Sequence, residues 1–251
     1  MRWFWIPEWS LPEGAVSRQE ILPFPACNLV VEPGGVTLVG PPTRLSERVL
    51  VGSGWAVGAL LLPAAVPALL ADPAALRDAA RPIEASDLQA RVARAMSDPS
   101  VAGDNRRAWA VAAVTDWLRE RIPEPDADGL LANALAEALE DASVTRVDQL
   151  APRLHASTRT LQRVATRAFG LSLHAMIRRR RLQEAAKRLR GAQIVETERG
   201  DDSSHSAATD VSIAELANEL GYSDHAHFAT DFKAVLGSTP SEYRARARSQ
   251  V

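Results

Sequence analysis

Two stretches near the C-terminal end of the chain repeat one order: a short helix, a tight turn, then a helix opened by a capping side chain. In the first, Val147–Leu154 directs Val147, Leu150 and Leu154 inward, and Ser157 stands where an N-cap belongs. A serine hydroxyl there accepts from N–H groups that the first helical turn leaves free. The helix it opens runs Thr158–Ala168, buries Leu161, Val164 and Ala165, and stops at Gly170. Glycine takes the left-handed conformation of a helix end without steric cost. In the second stretch Ser212 caps Ile213–Leu220, Gly221 turns the chain, and Ser223 caps Asp224–Leu236, with Phe228, Phe232 and Val235 as its core stripe. Such a repeat predicts an all-helical C-terminal domain built from two helix-turn-helix units.

The outward face of the first capped helix carries Arg159, Gln162, Arg163 and Thr166, with Arg167 and the capping Ser157 at its ends. Arginine bonds guanine O6 and N7 bidentately and glutamine bonds adenine, so these types belong on a helix facing the major groove. Between the two pairs, Leu173–Leu189 reads as one longer helix. Leu173, Ile177, Leu182, Ala185, Ala186 and Leu189 form its packing face, and the run Arg178–Arg181 is expected on the opposite side. A stiff helix of this kind would place two reading helices in successive major grooves, ~34 Å apart.

Charge separates the two halves of the chain. Residues 1–142 hold 12 basic side chains against 19 acidic ones, and residues 143–251 hold 17 against 12. The densest part, Arg153 to Arg190, has 11 basic residues and a single acid, Glu184. That asymmetry fits a polyanion-binding module attached to something else, and equally a solvated basic face. The preference for Arg over Lys runs through the whole chain and is a compositional habit.

The motifs SxRTLQR at Ser157–Arg163, FGLS at Phe169–Ser172, RRRRLQEAAKRL at Arg178–Leu189 and SIAELANELGYSDHAHFATDFKAVLGSTPSEYR at Ser212–Arg244 stand in this order. Together they resemble the AraC/XylS transcription regulators over Val144–Arg246. The resemblance implies base contacts from Arg159, Gln162 and Arg163, and a second reading face made by His225, Ala226, Ala229 and Thr230. It also implies double-stranded DNA as partner, a small-molecule effector, a homodimer, and RNA polymerase if the protein activates. Three positions depart from the family pattern. Thr230 stands where a basic residue is common and Asp231 adds negative charge beside it, so the second helix is expected to grip phosphate weakly. The acidic stretch Gly191–Val211 is longer than the usual connection and is expected to be a mobile loop. Ala165 replaces a bulky aromatic, and Phe169 is expected to refill that space.

The first ~85 residues read as β-rich. Short apolar runs at Cys27–Val31, Val36–Val39, Arg48–Val51 and Trp55–Leu62 alternate with Gly/Pro turns, which fits a small antiparallel barrel or sandwich. With Leu22-Pro23 and the run Val39–Arg44, this region weakly resembles the cupin-like sensory domains of such regulators. From Pro63 the texture turns helical. Asp87–Met96 offers Leu88, Val92, Ala95 and Met96 on one face. Asp104 is placed to cap a helix carrying Ala108, Val111, Ala112, Thr115 and Leu118, and a further stripe runs Leu130, Leu131, Ala134, Leu135, Ala138 and Leu139. These stripes suit packing on their own domain or a subunit interface. The fold expected is therefore α+β: a β-barrel or cupin-like sensory domain over 1–85, a helical linker and dimerisation region over 86–142, and a double helix-turn-helix domain over 143–251.

Candidate sites in the front half are few. Trp3, Trp5 and Trp55, with Trp9, could line an apolar effector pocket or pack on strands. Cys27 reads as a buried structural thiol before a redox sensor, and a single cysteine excludes an intrachain disulfide. No histidine precedes His155, so a cupin metal site and a Cys–His or Ser–His pair are excluded there. His225 and His227 point to different faces of one helix, and His205 sits in the loop, so neither metal nor cofactor is expected. The apolar run Ala56–Ala71 is broken by Gly58, Pro63 and Pro67, and it is short for a membrane span of ~20 residues. With no signal peptide at the start, a soluble cytoplasmic protein is expected. The alternative to a regulator is a ligand-binding or protein-interaction module with a weakened DNA-binding domain. An enzyme is the weakest reading.

Overall fold

The computed structural model describes residues 3–191 and 212–248. The expected mobile loop beyond Gly191, and His205 within it, lie outside the described residues.

The β-rich front half has nine strands among the described residues. They are β1 (Phe4–Trp5), β2 (Glu8–Ser10), β3 (Val16–Ile21), β4 (Asn28–Glu32), β5 (Gly35–Val39), β6 (Ser46–Val51), β7 (Ser53–Trp55), β8 (Val57–Leu60) and β9 (Ala80–Ile83). A five-stranded antiparallel sheet in the order β1-β8-β4-β5-β9 forms the floor, and β2 with β7 and β3 with β6 make two separate ribbons. Strand β4 is central because Leu29, Val30 and Val31 are all buried. The Pro33-Gly34 turn returns the chain so that Glu32 opposes Gly35. At the β1 edge the Trp5 indole lies over Gly58, where any Cβ would overlap the ring.

The sheet does not close, so the barrel expected from the spacing of apolar runs is an open sheet. Strands β1 and β9 are its two edges, and two helices cover one face. Helix α1 (Val66–Leu69) is a single turn, α2 spans Ser86–Ser97 and α3 spans Gly103–Arg121. Leu88, Val92, Ala95 and Met96 of α2 are buried as the sequence pattern predicts. Helix α3 instead buries Ala110, Val114, Trp117 and Leu118, leaving Ala108 and Ala112 exposed. Alanines on every side of α3 gave the pattern no direction, and the bulk of Trp117 and Val114 decides. Asp104 does not cap this helix; it lies in the first turn, where its carboxylate pairs with Arg107 at 3.4 Å.

Helix α4 (Ala127–Ala138) begins the second half of the fold. Its Ala132, Leu135, Ala136 and Leu139 side share a core with α5 (Leu150–Arg153), α6 (Thr158–Phe169) and the first turns of α7 (Leu173–Gly191). A third core joins the later turns of α7 to α8 (Ile213–Glu219), α9 (His225–Leu236) and α10 (Pro240–Arg248). Helix α7 thus serves both clusters: Leu173, Met176 and Ile177 belong to the first, and Leu182, Ala185, Ala186 and Leu189 to the second.

The N-terminal domain is stitched to both helix units. Asn133 Oδ1 accepts from the Ala64 backbone at 3.1 Å, and Gln183 Nε2 donates to the Pro23 carbonyl at 2.6 Å. The Leu45 backbone donates to the Val235 carbonyl at 2.8 Å. Glu20 at the end of β3 receives both Arg190, at 3.2 Å, and Arg246, at 3.4 Å.

Candidate nucleic-acid interface

Helix α6 forms where its sequence predicts. The Ser157 hydroxyl accepts from the Thr160 backbone at 3.1 Å, and Gly170 ends the helix in the left-handed region at φ 64°. Leu161, Val164, Ala165 and Phe169 are buried, with Ala165 and Phe169 in one cluster. The opposite face presents three arginines at four-residue spacing. Arg159 is exposed and makes no hydrogen bond or ion pair among the described residues. Arg163 forks onto the Asp128 carboxylate of α4 at 2.8 and 3.1 Å, and Arg167 reaches the same carboxylate at 3.5 Å. The Asp128 carboxyl is held below the usual range, chiefly by its hydrogen bond from Arg163. Gln162 Nε2 donates to Thr166 Oγ1 at 3.3 Å, and the Thr166 hydroxyl donates to the Gln162 carbonyl at 3.0 Å. Ser157 is occupied as the cap.

The second unit follows the same plan with one correction. Asp224, not Ser223, is the N-cap of α9: its backbone is extended and its carboxylate accepts from the His227 backbone at 2.7 Å. Ser223 supports it by donating to Asp224 Oδ2 at 3.1 Å. The two neighbours are both good cap formers, and the helix starts one residue later than the pattern indicated. The Asp224 carboxyl is lowered, first by that His227 bond. Its contribution to stability is full above the ordinary aspartate range and is lost as pH falls through the lowered value. Asp224→Ala should therefore melt at a lower temperature than wild type at neutral pH, and a melting series into acid should show the gap narrowing below about pH 4.

His225, Ala226 and Thr230 are exposed and Ala229 is half-buried, and the Thr230 hydroxyl is returned to the Ala226 carbonyl at 2.8 Å. Asp231 does not stand on this face as a free charge. It turns inward, with its side chain 16% exposed, and pairs with Arg178 at 2.7 Å. Tyr222 Oη donates to it at 3.4 Å.

The arginine run on α7 is likewise not a solvent face. Four successive residues sweep round a helix in ~100° steps, so each meets different surroundings. Arg178 takes Asp231 and Arg179 is buried. Arg180 donates to the carbonyls of Ala142 at 3.2 Å and Val144 at 2.9 Å. Arg181 lies 3.8 Å above the Tyr222 ring. Burial pulls the pKa of Arg179, Arg180 and Arg181 down. The run sits where α7 passes from one core to the other.

The tryptophans occupy different places. Trp3 lines a groove with Leu62 and Leu130, and Trp55 lines another with Trp9. Trp5 donates from Nε1 to Asn28 at 3.0 Å. A further cavity of about 450 Å³ lies between the two domains, walled by Pro63, Pro67, Pro123 and Pro125 and by Val164, Arg167 and Ala168 of α6. Sequence reasoning missed it because its walls come from three distant segments. Cys27 is buried and its thiol is pushed up to about 12 by desolvation. It should resist iodoacetamide in the native protein and react only after denaturation; rapid native labelling would contradict its packing. Among the described residues no group of three or more His, Cys, Asp or Glu is arranged to hold a metal ion. No helix among them is long and apolar enough to cross a membrane.

A helix-turn-helix domain model matches residues 202–246, which takes in α8, α9 and most of α10. The C-terminal domain therefore contains a helix-turn-helix unit over these residues. Its first unit, outside that match, carries the SxRTLQR and FGLS motifs on the same geometry. A second model, a domain of unknown function (DUF6597), matches residues 1–80. Comparison with curated proteins gives no match. Among solved structures the chain is similar to ToxT from Vibrio cholerae O395 bound to (E)-4-(8-methylnaphthalen-1-yl)but-3-enoic acid, at 13% identity and a TM-score of 0.46, covering 97% of this chain and 99% of that one. It is also similar to unsaturated fatty acid bound ToxT from Vibrio cholerae strain SCE256, at 13% identity and a TM-score of 0.43, covering 96% and 94%. The C-terminal domain of AraT, a response regulator from Geobacillus stearothermophilus, aligns at 21% identity and a TM-score of 0.34 over 47% of this chain and 84% of that one.

Proposed function

We propose that the protein is a sequence-specific transcription regulator that reads double-stranded DNA with α6 and α9 and whose N-terminal domain adjusts that reading to a small-molecule effector. The observation that carries the reading is the pairing of two capped helices at the two ends of α7. Arg159 is exposed and Gln162 half-buried on the outer side of α6, and His225 and Thr230 are exposed on α9. The inward turn of Asp231 removes the main reason to regard the second unit as weakened, which counts against the interaction-module alternative. For the effector, the proline-walled cavity against α6 is a better candidate than Trp3, Trp5 and Trp55, because a molecule there would touch a reading helix directly. Trp109 of α3 and Leu130 of α4, both exposed, are the apolar side chains we assign to a homodimer contact.

The test is binding of the full chain to fragments of its own genomic neighbourhood, titrated against salt with competitor DNA. Site-restricted binding whose affinity falls steeply with salt is expected, since each neutralised phosphate releases counterions. Affinity that never exceeds that for competitor, for the full chain and for residues 123–251, which keep α4 with its core, overturns the reading.

A further inference from the structure

Of the three arginines along the outer face of α6, two are held by one carboxylate from outside that helix. Asp128 lies in the first turn of α4, next to the capping Asp126, whose Oδ1 accepts from the Gly129 backbone at 2.8 Å. Its two oxygens meet the two terminal nitrogens of Arg163 in the fork geometry that arginine also offers to guanine or to a phosphate. Oδ2 is shared with Arg167. An arginine held in this way cannot give the same two N–H groups to DNA. A carboxylate so placed would also face the phosphates that α6 approaches.

We infer that Asp128 is an internal competitor for DNA: it occupies Arg163 and Arg167 in the free protein, and binding of a duplex by α6 requires that ion pair to open. This rests on the reading of α6 as a DNA-contacting helix and adds how that helix is restrained. Position supports it. Helix α4 is fixed against α6 from behind through Ala132, Leu135 and Ala136 in the shared core, so Asp128 is held at the edge of the reading face and is not on a free arm. Helix α4 is also bonded to the N-terminal domain through Asn133 and Ala64. The cavity beside the pair is lined by both Asp128 and Arg167, so a shift of α4 against the N-terminal domain would change the grip on Arg163. Glu124, in the same segment, makes no hydrogen bond or ion pair among the described residues and provides the comparison.

The experiment uses the full chain and a duplex enriched by it from a random-sequence pool, read by fluorescence anisotropy at several salt concentrations. Asp128→Asn removes the charge while keeping the shape, and a thermal melt close to wild type confirms that the variant is folded. It should bind the duplex about three- to tenfold more tightly, with a salt dependence steeper by about one phosphate contact. Glu124→Gln should change affinity less than twofold. In the Asp128→Asn/Arg163→Ala double variant most of the gain over Arg163→Ala alone should vanish, because the bidentate partner is gone and only the 3.5 Å contact to Arg167 is left to release. Unchanged or weaker binding by Asp128→Asn, or an equal gain from Glu124→Gln, overturns the competition. Should Arg163→Ala and Arg159→Ala both leave affinity untouched, it is the reading of α6 that fails, and the two failures stay distinguishable.

Discussion

Replacing Phe232 by alanine should destabilise the second helix unit by about 3–5 kcal/mol, the cost of emptying a fully buried aromatic site. The ring is completely enclosed and meets Phe228 edge-on at 5.6 Å and Tyr243 at 5.4 Å. Two rings with fixed planes cannot slide into the vacated volume as aliphatic chains can, so the site collapses poorly and the cavity persists. Its neighbour Asp231 holds α9 to α7 through Arg178, so a displaced α9 also loses that ion pair. Against a total domain stability of roughly 5–15 kcal/mol, this loss is large. Guanidinium unfolding followed by circular dichroism should show a much lower midpoint, with Phe232→Leu between the two. A loss below about 1 kcal/mol would mean that Phe232 is not the centre of this core. Because α6 belongs to a separate cluster, the variant should keep its first reading helix and bind a shorter stretch of DNA.

The helix pairs were legible because their signals are local. A cap acts within three residues and a core stripe within one helix, so Ser157, Gly170, Ser212, Phe228 and Phe232 all carry their meaning in the sequence around them. Partnerships across long separations were not legible. The run Arg178–Arg181 reads as a basic face until Asp231, Tyr222 and the carbonyls of Ala142 and Val144 are brought to it. Asp231 reads as a repulsive charge for the same reason, and Arg163 as a free side chain until Asp128 is placed opposite. In the front half, β1, β2 and β9 are edge or ribbon strands of two to four residues, too short to show a period. The open sheet followed from α2 and α3 covering a face that further strands would otherwise close. No sequence period marks that choice.

Arg159→Ala should have the largest effect on DNA recognition. Arg159 stands in the first turn of α6, the part of a recognition helix that meets base edges, and no partner among the described residues has to be given up for it to do so. A bidentate arginine contact to guanine is worth roughly 1–3 kcal/mol of discrimination, so the affinity for the selected duplex should fall by about 5- to 150-fold. The loss should be confined to one base position: a library rescanned with the variant should tolerate substitution there and remain selective elsewhere. A uniform loss across all sequences, with the salt slope reduced by about one, would instead make Arg159 a phosphate contact. Arg163→Ala provides the internal scale. In wild type its removal also relieves the protein of opening the Asp128 pair, so its penalty should be smaller than that of Arg159→Ala. In the Asp128→Asn background that relief is absent, and the Arg163→Ala penalty should grow. The difference between the two backgrounds measures how strongly α4 holds the reading face in the absence of DNA.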